Sequence, residues 1–142
     1  MDIGINFEPA YKILIGSLFI ISGTAFYLYL NLLFKKEVSF AGAMLYMLDP
    51  YHFLDLYVRG HVGEMMAIAI SPIVIYFLEK NLAKTNFSYI IFGALFYGIL
   101  ILSHNILGLL LTGVFVAYMR KIQKRPIVVL RRMYGYKHRG EK

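Results

Sequence analysis

The 142-residue chain reads as an all-α protein, a polytopic membrane bundle of about five transmembrane helices with one external interfacial loop. Three observations predict it. The composition is 59% hydrophobic and only 16% charged, with a mean hydropathy of +0.63, well outside the range of an ordinary soluble domain of this size. Apolar runs at residues 11–34 and 87–118 reach the roughly 20 residues that a helix needs to cross a hydrocarbon core of about 30 Å. Basic residues gather in three clusters, Lys35/Lys36, Lys80/Lys84 and the segment 120–142, which an odd number of spans can place on one face.

The first span, near 11–34, follows Pro9 and closes at Lys35 and Lys36, whose stems can snorkel to a headgroup layer. It lacks the basic leader and small-residue cleavage site of a signal peptide and is expected in the mature protein. A second, short span is expected near 38–49, ending at Asp49-Pro50, and a third near 62–79, with Pro72 as a kink and Glu79, Lys80 and Lys84 as its closing charges. Residues 87–118 would form nearly 50 Å of continuous helix, more than a tilted single span needs. Ser103-His104-Asn105 interrupts that run at its middle, so a hairpin of spans near 87–103 and 105–119 is expected. Glycines 16, 23, 42, 93, 98, 108 and 113 are spread through these spans and signal close helix packing.

Five spans with the N-terminus outside put all three basic clusters on the cytoplasmic face of the plasma membrane, as the positive-inside rule asks. The membrane domain is then 1–120 and the basic cytoplasmic tail 121–142. The loop 50–64 and the His104 turn fall together on the external face. Nine Lys/Arg against one Glu in residues 120–142 carry nearly all of the net charge of +7. Beside a span this reads as attraction to anionic lipid, with no nucleic acid partner. There are no cysteines, which excludes disulfides, thiolate catalysis and cysteine metal sites.

Chemistry concentrates in one window. Asp49, His52, Asp55, Arg59, His61 and Glu64 lie within sixteen residues, beside otherwise apolar sequence, where ionisable groups are functional candidates. A helix over 50–59 lying along the membrane would put His52, Asp55 and Arg59 on one face, with its tyrosines and leucines resting in the interface. Gly60 and Gly63 would let Arg59, His61 and Glu64 turn toward one cleft. Arg59 is suited to bind a phosphate bidentately, with His52, His61 and His104 assisting or carrying protons. Glu64 and Asp55 are the candidate catalytic carboxylates, as general bases. Either could join a histidine on a divalent cation, although His61-x-x-Glu64 matches no standard metal motif, and no metal ligand is assigned. The alternative is structural: Asp55–Arg59 and Arg59–Glu64 as pairs tying the loop to helix ends, with Glu64 favoured in a first helical turn by the macrodipole and His104 a turn histidine.

The run Tyr-Val-Arg-Gly-x-x-x-Glu over 57–64, with Ala67, Ala69 and Pro72 after it and then Leu102-Ser103-His104, resembles the polytopic membrane family called 6-pyruvoyl-tetrahydropterin-synthase-related. The resemblance covers about residues 37–118. That family in turn resembles the GT-C class of membrane glycosyltransferases. The resemblance implies a cavity facing away from the cytoplasm, bordered by the loop and the His104 turn, with a polyprenyl-phosphate-linked sugar as partner. Arg59, Glu64 and His104 match the family's arginine, glutamate and histidine. Such proteins are several times longer, and the GT-C class carries its catalytic carboxylate in the first external loop, whereas only Asp2 and Glu8 precede the first span here. The expectation is therefore a fragment, or one part of a split or longer membrane protein. The leading function is glycosyl transfer from a lipid-phosphate-linked sugar; the rivals are a transporter or channel subunit, and a structural membrane subunit without catalysis.

Overall fold

A computed structural model describes residues 7–55 and 60–123. These residues fold into six helical segments: α1 (Phe7–Leu30), α2 (Lys36–Met47), α3 (Pro50–Leu54), α4 (Val62–Ala83), α5 (Phe87–Ser103) and α6 (Asn105–Gln123). Helix α1 starts earlier than expected and takes Pro9 into its first turn, where a missing N–H breaks no helical bond. It also stops at Leu30, and residues 31–34 form a turn.

The five long helices alternate in direction. Gly23 and Gly42 of α1 and α2 meet Met47 and Leu30 across an antiparallel pair, and Phe26 stacks on Tyr46 with ring centroids 4.3 Å apart. Helix α4 runs parallel to α1, with Leu18 against Met65 and Ala69 near one end. Helix α5 returns along α4, Phe77 stacking on Phe92 and Phe96. The expected hairpin at His104 is present: Tyr97 and Thr112 hydroxyls are 2.6 Å apart across it. Helix α4 is the central one, packing on α1, α5 and α6. Its Ala67, Ile70 and Val74 form a core with Leu100 of α5 and Phe115 of α6.

Pro72 lies buried in the middle of α4 and the helix runs through it. Proline has no N–H for the carbonyl four residues earlier. That carbonyl belongs to Ile68, and two hydroxyls replace the lost donor: Tyr46 of α2 at 2.9 Å and Ser71 at 3.0 Å. The proline is thereby converted into a point of attachment for α2.

Among the described residues two helices, not five, are long and apolar enough to cross a membrane, 8–30 and 62–83; α5 is a shorter apolar helix. The reason is length and composition. Helix α2, with 12 residues, rises only about 18 Å. Helix α6 carries Asn105, Thr112, Arg120 and Lys121 among its apolar residues. Large apolar side chains nevertheless face outward on α1, α2, α5 and α6, among them Ile13, Leu45, Leu102 and Leu109. Such an exterior suits lipid rather than water.

Alternation gives the bundle two chemically distinct ends. One carries Lys35 and Lys36 at the start of α2, Lys80 and Lys84 at the end of α4, and Arg120 and Lys121 in the last turn of α6. Glu79 departs from its expected role as a closing surface charge: it is buried at 1% exposure and accepts a hydrogen bond from Tyr118. The other end carries α3, the start of α4 and the His104 turn.

Candidate functional site

Asp49 starts the site by starting a helix. Its carboxylate accepts the backbone N–H of Tyr51 at 2.9 Å, and Pro50 fills the first helical position, the arrangement expected of an N-cap followed by proline. Within the described residues α3 spans Pro50–Leu54 with Asp55 at its C-cap, and residues 56–59 of the expected 50–59 helix lie outside them. Its orientation follows from its two kinds of side chain. Tyr51, Phe53 and Leu54 face outward, while His52 and Asp55 are buried at 3% and 0% exposure.

His52 inserts between helices: its ring lies 5.7 Å from Phe19 of α1 and meets Tyr46 of α2 edge-on at 5.2 Å. Neither ring nitrogen has a hydrogen-bond partner among the described residues. Burial lowers the His52 pKa from its ordinary value of 6.5, against a smaller opposing effect of the Asp49 charge. His52 is therefore a neutral, enclosed imidazole, ill placed to receive an external phosphate.

Glu64 lies in the first turn of α4, as its reading as a macrodipole-favoured residue expects, and is buried. The Tyr51 hydroxyl donates to its Oε1, so α3 and α4 are joined through the candidate carboxylate itself. Tyr51 was not among the residues singled out from sequence, where it counted only as interfacial aromatic surface. No periodic pattern in the sequence links Tyr51 to Glu64 thirteen residues later.

Two glycines bring the chain into position. Gly60 has φ +64°, a left-handed conformation that favours glycine. Gly63 faces the Ser103 carbonyl so closely that no side chain would fit. That contact brings the start of α4 to the end of α5, and with it the His104 turn to the same end of the bundle as α3. His104 itself is half-buried and extended, and its Nδ1 accepts the Leu107 N–H at 3.2 Å, which makes it the N-cap of α6. His61 is exposed while Glu64 is buried, so this pair does not face one ligand together. Arg59 lies outside the described residues. Among those described, no group of three or more histidine and carboxylate side chains could hold a metal ion.

Beside this end, a cleft of about 620 Å³ opens between α1 and the α2–α3 junction, lined by Ile15, Phe19, Leu48 and Phe53 with Lys12 among them. Lys12 is paired with Glu8 at 2.6 Å.

No curated protein and no solved structure matches the chain. A family model does, over residues 3–133, with the description 6-pyruvoyl-tetrahydropterin synthase related domain, membrane protein. The match reaches past the 37–118 of the motif resemblance and takes in α1 and its packing on α4. Its description names a membrane protein and no reaction. On that match, which spans nearly all of the bundle, the chain belongs to the 6-pyruvoyl-tetrahydropterin-synthase-related family of membrane proteins.

Proposed function

We propose that this chain is a membrane unit whose α3–α4 end contributes to a site for a lipid-phosphate-linked sugar, on the side of the membrane away from its clusters of basic residues. The single observation that carries the reading is convergence: Gly63 against the Ser103 carbonyl gathers the 49–64 segment and the His104 turn at one end, opposite every basic cluster of the helices. The apolar cleft beside Lys12 supports it, being within the size range of ligand cavities and open to an isoprenyl chain from the bilayer. In this reading Arg59 takes the phosphate with its fork of donors. Glu64, oriented by Tyr51, is the base that deprotonates the acceptor hydroxyl. Burial of Asp55 and His52 gives them the role of holding α3 against the bundle rather than of touching substrate. The chain would act within a longer or split GT-C-like assembly.

The test uses the full chain in lipid nanodiscs with a fluorescent short-chain isoprenyl phosphate as probe. Arg59→Ala should weaken binding by about tenfold to about a hundredfold, the range for one lost charge-assisted contact. Lys84→Ala, at the opposite end, should leave it unchanged. Equal binding by Arg59→Ala and the parent chain would sink the proposal.

A structural reading has specific support at His104, because its Nδ1 is used as a helix cap. His104→Asn, which keeps a capping acceptor, should therefore preserve stability.

A further inference from the structure

Glu79 belongs to neither the site above nor the basic surface around it. It is 1% exposed, held between three helices: its Oε1 accepts from Tyr118 of α6, and the Tyr118 hydroxyl lies 3.0 Å from that of Tyr29 in α1. Since the Tyr118 proton is committed to Glu79, Tyr29 must be the donor of the second bond. Two donors in series thus point toward one carboxyl group. Its other oxygen, Oε2, is buried with no hydrogen-bond partner among the described residues.

Cations are close along the chain but turned elsewhere. Lys80, the next residue, lies over the Tyr76 ring at 5.6 Å. Lys84, Arg120 and Lys121 are exposed, and the one ion pair found among the described residues joins Lys12 and Glu8 at the far end. The titratable groups that face Glu79 are Tyr29 from α1 and Tyr118 from α6. On α5, Tyr89 packs on Phe77 instead. A carboxylate enclosed in this way, with one neutral hydroxyl for company, is costly because its lost hydration is offset by no opposite charge. Buried ionisable groups in membrane proteins relieve that cost by pairing or by taking up a proton.

We propose that Glu79, Tyr118 and Tyr29 form a proton-binding site between α1, α4 and α6, in which Glu79 holds a proton on Oε2 at neutral pH. One proton from water forms one O–H bond and cancels one negative charge; nothing else is made or broken. The neutral acid keeps its Oε1 as acceptor for Tyr118, so both hydroxyl bonds survive and the three helices stay joined. Loss of the proton places a charge at their junction. Proton occupancy is thereby coupled to the seating of α6, independently of any lipid-phosphate site at the opposite end.

Infrared difference spectroscopy on the full chain in nanodiscs tests this directly. At neutral pH the parent chain should show a carboxylic acid C=O stretch that Glu79→Gln lacks and Asp55→Asn retains. Tyr118→Phe removes the hydrogen bond to that carbonyl and should move the same band to higher frequency without abolishing it. Should Glu79→Gln fail to insert, the Tyr118→Phe shift alone identifies the group. The proposal is overturned if neither variant alters the acid band, if Glu79→Gln instead removes a carboxylate stretch, or if added sodium at fixed pH abolishes the band, which would make the ligand a metal cation.

Discussion

His52 shows how one side chain changes character between sequence and fold. By type it is a titratable group in a polar window; by position it is enclosed by Phe19 and Tyr46 with both nitrogens unbonded among the described residues. Its lowered pKa has a definite consequence for stability. Below the ordinary value of 6.5 the unfolded chain binds a proton that the folded chain refuses until a lower pH, so stability falls as pH decreases through that interval. Thermal unfolding in nanodiscs should therefore show a midpoint that drops below pH 6.5, and His52→Phe should flatten the drop. A parent profile that stays level across this interval would contradict the enclosed, neutral state. Glu64 and Tyr51 make the complementary point. The glutamate was legible as a candidate from its place beside apolar sequence, but its phenol partner was not, because thirteen residues of separation carry no periodic signal.

At the scale of elements, the long helices and the break between α5 and α6 were legible because apolar run length and a polar interruption are local properties. The position of His104 as the residue between two helices follows from Ser103-His104-Asn105 alone. Of the expected 50–59 helix, residues 50–54 are helical, and residues 56–59 lie outside the described residues. Pro72 raised the expectation of a kink, while the structure uses the freed Ile68 carbonyl as an acceptor for Tyr46 and Ser71. Tyr46→Phe keeps the ring stack on Phe26 but deletes the hydroxyl. It should destabilise the bundle by about 1 kcal/mol, the usual net value of one hydrogen bond. In a Pro72→Ala background the helix supplies its own N–H to Ile68, and the same substitution should cost measurably less. Equal costs in the two backgrounds, measured by denaturant titration in detergent, would show that the hydroxyl does not compensate the proline.

For the whole molecule, alternation of five helices sorts the basic clusters to one end and the histidine and carboxylate window to the other. The proposed orientation, taken from the positive-inside rule, puts Lys35, Lys36, Lys80 and Lys84 toward the cytoplasm. The absence of cysteine makes this readily testable with single-cysteine variants. His61→Cys should react with an impermeant reagent from outside intact cells, and Lys84→Cys only after the membrane is opened. Both positions reacting from the same side would refute the orientation. Length and composition alone determined that this is an all-α chain with an exterior suited to lipid, where its long helices lie, and which segment concentrates ionisable groups, because hydropathy and turn chemistry are written along the chain. Only the tertiary structure decided that His52 and Asp55 face inward, that Tyr51 holds Glu64, and that Glu79 is buried against Tyr118. Those outcomes depend on which helix faces meet, and that is settled by packing between residues far apart in sequence.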